Sequence, residues 1–206
     1  MWRKWLGGVL LAAGILTLCF PMLQKNLYDR EQQELIAAFE QLGKMDDLLL
    51  TDDQLIATAS TEPVKDQQSS LQGARGLMKI EKIKMEMLIF EGVSESELLR
   101  GAGMIEPQKK FDMNNIGIAG HRAVAEGKLF NRLGDLAVGD DIQVETKEQT
   151  LHYRVISTFV VHESEVSVLD DKEEPLLTLV TCTPLGKRNP PDRLIVQAEL
   201  QKVEKH

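Results

Sequence analysis

Between residues 77 and 200 the apolar side chains come in short runs, broken every few positions by Gly, Pro, Asn or acidic residues. Ile80, Ile83, Met85, Met87, Ile89 and Phe90 open the series and stop at Glu91-Gly92; runs over 116–119, 140–145, 151–161, 176–181 and 194–200 continue it. A period near two puts alternate side chains on one face of a strand, whereas a helix would need apolar residues three and four apart. Helix has little room here. Ser94, with Glu97 at the capping-box position and Gly101 as the stop, predicts one short helix, and 128–133 fits a second. Many short strands with few helices predict a mostly β domain, a barrel or a sandwich. Hydrophobic residues make up 43% of the chain but aromatic ones only 5%, so the core is expected to rest on Val, Ile, Leu and Met.

The first residues follow another pattern. Trp2-Arg3-Lys4-Trp5 precedes an uncharged stretch of eighteen residues, 6–23, and Lys25 follows. That length is close to the roughly 17 to 25 apolar residues that cross a bilayer. A cleaved signal peptide would want an A-x-A-like site after its apolar region, and none precedes Gln24 and Lys25. The reading is a retained signal anchor over 1–23. Arg3 and Lys4 stay on the cytoplasmic side, so the rest of the chain is expected outside the cell membrane, tethered by a single pass. Leu16-Thr17-Leu18-Cys19 could pass for a lipid-attachment string, but bulky Leu18 stands where such sites carry a small residue. Over 24–76, Leu27, Leu35, Phe39 and Leu42 recur at helical spacing and then give way to a polar Ser-, Gln- and Pro-containing stretch, a stalk helix and linker. The catalytic domain is expected over 77–206.

A net charge of −8 excludes a general nucleic-acid binder, because no basic patch answers a phosphate backbone. The cysteine count is equally limiting. Cys19 falls in the expected span, which leaves Cys182 without a partner in an oxidising exterior. A lone external thiol is a candidate nucleophile, and a buried inert thiol is its bland rival. Cys182 ends the apolar run Thr178-Leu179-Val180-Thr181-Cys182, and Arg193 follows eleven positions later across Pro184, Gly186, Asn189, Pro190 and Pro191. If that loop joins neighbouring antiparallel strands about 4.8 Å apart, the guanidinium can reach over the thiol. Arg193 could equally serve a salt bridge beside Asp192. His121 lies at another strand end among Gly117, Gly120 and Gly127, while His152, His162 and His206 lack that setting. Catalytic and structural roles for His121 stay open on these grounds. Thiol, imidazole and guanidinium together would suffice for acyl transfer.

Gly120-His121-Arg122, Leu129-Phe130 through Gly139-Asp140, Thr178 to Cys182 and Arg193-Leu194-Ile195-Val196 occur in the order of the sortase signatures, and the chain resembles that family over about 77–200. Sortases are membrane-anchored cysteine transpeptidases of Gram-positive bacteria. The resemblance implies an eight-stranded β-barrel and a surface-protein sorting signal of the L-P-x-T-G type as substrate. It implies Cys182 as nucleophile, His121 as proton carrier and Arg193 as the group that binds substrate or steadies the oxyanion. The acceptor would be an amine of a cell-wall precursor or cross-bridge. Ala119 and Val180 match positions lining the substrate groove, and Val166 and Val168 are further candidates that the core could also claim. The anchor suits class A or class D, and no Asp-Pro-Phe or Asp-Pro-Trp lid motif occurs in 43–76.

No cofactor is required on this reading. Glu163, Glu165, Asp170, Asp171, Glu173 and Glu174 could hold a stimulating Ca²⁺, or could simply be a solvated acidic loop, since they lack the alternating D-x-D-x-D-G order. Two other functions fit the same sequence: a cysteine hydrolase of the sorting signal, and a non-catalytic binding module on the same anchor.

Overall fold

The computed structural model describes residues 30, 32–41, 71–122, 129–187 and 189–206. The chain divides into two compact units, 1–57 and 58–206. In the first, 32–41 is helical, within the stretch read as a stalk helix. The expected membrane span over 6–23 lies outside the described residues, among which no helix is long and apolar enough to cross a membrane.

The second unit is a closed barrel of eight strands: β1 (Ala74–Ile80), β2 (Met85–Glu91), β3 (Ala102–Met104), β4 (Asn115–Ala119), β5 (Asp141–Glu145), β6 (Gln149–His162), β7 (Leu176–Thr183) and β8 (Asp192–Lys205). Around the barrel the order is β1-β2-β3-β4-β7-β8-β6-β5. Closure decides between barrel and sandwich, because every strand then has two neighbours and no long open edge is left over. The run over 80–90 crosses from the end of β1 through a short 3-10 turn over Glu81–Ile83 into β2, and Lys84, with a left-handed φ of 51°, ends the turn and reverses the chain.

The short helix is Glu95–Arg100, with Ser94 as N-cap and Gly101 after it. The Ser94 hydroxyl bonds the Glu97 carboxylate, and these hydrogen bonds hold the Glu97 carboxyl below the usual carboxylate range. β3 has no counterpart in the apolar pattern: Ala102-Gly103-Met104 is too short and small-residued to show alternation, yet all three are buried. Gly103 is needed there because a methyl on it would lie 2.1 Å from the Gly92 carbonyl oxygen.

Inward positions fill the barrel with Met78, Ile80, Met87, Ile89, Met104, Ile116, Ile118, Val144, Leu151, Leu177, Leu179, Val196 and Ala198, the aliphatic and Met-rich core expected from composition. Phe111, Phe130 and Tyr153 are its aromatic exceptions. Tyr153 is 1% exposed and donates its hydroxyl to the Phe111 carbonyl at 2.7 Å, so burying the phenol leaves no donor unpaired. Burial pushes its ionisation upward, and nearby Asp112 adds to this.

Candidate active site

Two parallel strands and one antiparallel strand bring the predicted residues to one pole. β4 and β7 run parallel, with Ala119 paired to Val180. Gly120 then donates to the Val180 carbonyl at 3.1 Å, so the register persists past the strand end. On the other side of β7 the antiparallel register pairs Cys182 directly with Arg193. Arg193 on β8 therefore stands beside Cys182 on β7, about 4.8 Å of backbone away, and His121 follows two residues after the end of β4 on the opposite side of β7. Parallel pairing is what allows this, since it sends the C-terminal ends of β4 and β7 to the same pole.

The faces agree as well. Ile116, Ile118, Leu177, Leu179, Leu194 and Val196 point into the core. Their alternates Gly117, Ala119, Val180, Cys182, Arg193 and Ile195 consequently lie on the outer face. Exposure rises along this face toward the thiol: Asn115 and Thr178 are fully buried, Ala119, Val180 and Cys182 are half-buried, and His121 is exposed. Cys182 is a free thiol.

The buried end of the face is roofed by the connection from β6 to β7, which holds the 3-10 turn Val166–Leu169. A methyl on Gly117 would lie 2.7 Å from Leu169 Cδ2 and 3.1 Å from Ile105 Cδ1, so glycine there makes room for the roof. Val168 is half-buried, whereas Val166 is 68% exposed. Polar contacts pin the roof. Asn115 Nδ2 donates to the Val168 and Asp170 carbonyls at 2.9 and 3.0 Å, and Gln197 donates to the Val168 carbonyl at 3.1 Å. Thr178 Oγ1 donates to Asn115 Oδ1 at 2.7 Å, which orients the amide.

Lys109 is the centre of this anchor. Its Nζ lies 2.8 Å from Glu106 Oε2 and 3.1 Å from Asp171 Oδ1, and donates to the Leu169 carbonyl at 2.9 Å. Burial disfavours the ammonium, but the two carboxylates outweigh it and raise the Lys109 pKa above the ordinary lysine value. Asp171 accepts the Asn115 backbone N–H at 2.9 Å, and that bond, with Lys109, holds its carboxyl below the usual range. Among the acids read as possible calcium ligands, Asp171 is thus engaged by a lysine. Among the described residues no group of three or more His, Cys, Asp or Glu side chains is placed to hold a metal ion.

Three residues that the sequence left without a role shape the site. Arg122, next to His121, donates from Nη1 to Thr183 Oγ1 at 2.9 Å and toward the Cys182 carbonyl at 3.4 Å, tying the imidazole's segment to the thiol's strand. Thr181, 2% exposed, donates to the Gly120 carbonyl at 2.8 Å and clamps the same two segments from the core side. Phe130 packs beneath Gly120, and its N–H donates to the His121 carbonyl at 3.0 Å. All three fall inside the motifs that carry the family resemblance, but their roles could not be read there, because each acts through a contact some ten to sixty positions away. The remaining histidines have local partners: His162 Nδ1 with Ser164 Oγ at 2.8 Å, His152 near Glu204 at 3.7 Å, and His206 with Thr150 Oγ1 at 3.3 Å.

A thiol near the end of β7, an imidazole just past the end of β4 and a guanidinium on β8, with half-buried Ala119 and Val180 leading to them, form a kit for nucleophilic acyl transfer. Comparison with known proteins points the same way. Over 130 residues the chain is 29% identical to sortase A of Listeria monocytogenes, a match covering 63% of this chain and 58% of that protein. Over 128 residues it is 31% identical to sortase D of Bacillus subtilis, covering 60% and 62%. The chain thus spans roughly three fifths of these relatives' length. The solved structure of the Listeria sortase A superposes with a TM-score of 0.61 at 29% identity, over 66% of this chain and 92% of that one. The sortase domain model matches residues 78–201, which include His121, Cys182 and Arg193, six of the eight strands whole and most of β8, and by that match the chain belongs to the sortase family.

Proposed function

We propose that this protein is a cysteine transpeptidase that cleaves an L-P-x-T-G-type sorting signal after Thr and joins the new carboxyl end to a cell-wall amine. The observation that carries the reading is the pairing of Cys182 with Arg193 on β7 and β8, with His121 two residues past the end of β4, whose Ala119 pairs with Val180 of β7. The Cys182 thiolate attacks the threonine carbonyl carbon, and the oxyanion that forms is stabilised by Arg193 and backbone N–H groups. Protonated His121 gives its proton to the departing glycine amine as the C–N bond breaks, leaving a thioester. An incoming amine then attacks the same carbon, His121 takes its proton, and the C–S bond breaks to restore the thiol. Ala119 and Val180 form the groove floor beneath the substrate, and Val168 and Val166 lie along its roof.

A thioester favours amines over water when the amine is held close, since positioning raises its effective molarity. The acceptor is an amine of a peptidoglycan precursor or cross-bridge. The N-terminal stretch 6–23 anchors the enzyme in the cell membrane with its domain outside, class A or class D in type. No metal is required on this reading, and Lys109 supports it by supplying the positive charge that gathers Glu106 and Asp171 around the roof.

The decisive experiment incubates the protein with an L-P-x-T-G peptide, with and without triglycine, and weighs the products. The expected product with triglycine is the threonyl-triglycine adduct. Threonine acid alone in both reactions would mean a hydrolase. Cys182→Ala is expected to abolish turnover and the trapped thioester mass; full turnover in that variant would leave only a binding module.

A further inference from the structure

Arg193 stands opposite Cys182, yet its guanidinium is engaged elsewhere. Nη1 donates to the Pro190 carbonyl at 2.6 Å and to the Asp192 carbonyl at 3.1 Å, and Nη2 pairs with Glu163 Oε2 at 2.6 Å. Among the described residues no hydrogen bond joins it to Cys182 or His121. Glu163 is the first residue after β6, and its own N–H donates to the Pro191 carbonyl at 2.7 Å. The carboxylate is therefore held beside the loop between β7 and β8 by its backbone as well as by its charge. Glu163 and a substrate carbonyl want the same donors. A guanidinium already neutralised by a carboxylate also offers less to a developing oxyanion.

We infer that Glu163 is a positioning residue that parks Arg193 away from the thiol while the groove is empty, and that a seated substrate exchanges the carboxylate for its own carbonyl oxygens. The inference rests on the role given to Arg193 in the proposed transpeptidase. Exposure sets the strength of the latch. The Glu163 side chain is 52% exposed and that of Arg193 is 26% exposed, so water can take over the released carboxylate. Ion pairs of this kind hold weakly. A weak latch suits the role, because a parked enzyme binds substrate with an affinity reduced by the fraction already released. Glu163 thus acts on the binding of substrate and leaves the chemistry of the thioester untouched.

The test uses the full chain in detergent, with kcat and KM for an L-P-x-T-G peptide measured across salt concentrations. Glu163→Gln keeps the shape and removes the charge. Its expected effect is a KM lowered about two- to fivefold at low ionic strength with kcat unchanged, the size of an exposed pair. The difference from wild type should fade toward 1 M salt, where the screening length falls to about 3 Å. In an Arg193→Ala background, read by single-turnover thioester formation, Glu163→Gln should change nothing. A KM equal to or above wild type in Glu163→Gln, or an effect that persists without Arg193, overturns the latch. Wild-type turnover in Arg193→Ala alone would instead overturn the role of Arg193, and the latch with it.

Discussion

At the scale of single residues, the site depends on side chains that hold others in place. Arg122 joins Thr183 Oγ1 and the Cys182 carbonyl to the segment that carries His121, and its Nε is buried without a hydrogen-bond partner. A charged donor in a half-buried place contributes about 1.5 to 3 kcal/mol per hydrogen bond when both partners stay put. Arg122→Met keeps much of the stem and loses the fork. It should lower stability by about 1.5 to 3 kcal/mol, the size of the one short bond, since the longer of the two counts for little, and should lower kcat more than it raises KM. Chemical denaturation and steady-state kinetics on the same preparation check both, and an unchanged kcat would make the clamp purely structural. Nothing in the triplet Gly120-His121-Arg122 showed this, because the partners of Arg122 lie 60 and 61 positions away.

At the scale of elements, the end of β4 is set by packing from below. A methyl on Gly120 would lie 2.7 to 2.9 Å from the ring of Phe130, which is fully buried and has nowhere to move. Overpacking of this kind costs about 1 to 3 kcal/mol. Gly120→Ala should therefore lower Tm by several degrees and lower kcat, because the displaced backbone carries the imidazole; a variant of wild-type Tm would show that the ring yields. The sequence placed Gly120 among the glycines of a strand end, and the structure adds that it is a point of close contact.

The connection from β6 to β7 is an element held by charge, and its pH dependence follows from the two shifts. The Asp171 carboxyl is held low, so its contribution is present above the ordinary carboxylate range and is lost as pH falls through its depressed value. The Lys109 ammonium is held high, so its contribution is present below the ordinary lysine range and is lost as pH rises through its raised value. Between these limits the anchor is intact. Asp171→Asn should thus be less stable than wild type at neutral pH, with the gap closing as pH drops below about 4. Thermal melts across pH measure this, and a gap of constant size would remove the Lys109–Asp171 pair as its cause. Chelation with EDTA should leave peptide turnover unchanged in wild type.

At the scale of the whole molecule, the barrel closes on itself within 74–205. A closed barrel with its own core meets the requirement for a unit that folds alone. The fragment 58–206 should unfold in one cooperative transition and turn over peptide with the kcat/KM of the full chain in detergent. A fragment that binds the fluorescent dye used for exposed apolar surface, or that loses activity, would place part of the core in 1–57. The anchored reading of 6–23 predicts in addition that the full chain, and not the fragment, sediments with membranes.

How much could be read in advance follows from the range of each interaction. Period-two patterning showed the strands over 141–145, 149–162, 176–183 and 192–205 to within a few residues, because alternation is a property of neighbours. It failed for β3, which is only three residues long, and for the break at Lys84, where a left-handed φ interrupts a largely alternating run. The thiol, imidazole and guanidinium were legible as residue types at strand ends, and the resemblance of their motifs supplied the roles. What the sequence determined by itself is therefore the mostly β class, the aliphatic and methionine-rich core and the three reactive groups, all local or compositional properties. The motif resemblance implied the barrel, but only the tertiary structure gave the closed strand order, the parallel pairing of β4 with β7 that leads the chain toward Cys182, and the contacts of Glu163, Lys109 and Arg122. Register and ion pairing join residues tens of positions apart, and such contacts have no period for a sequence to display.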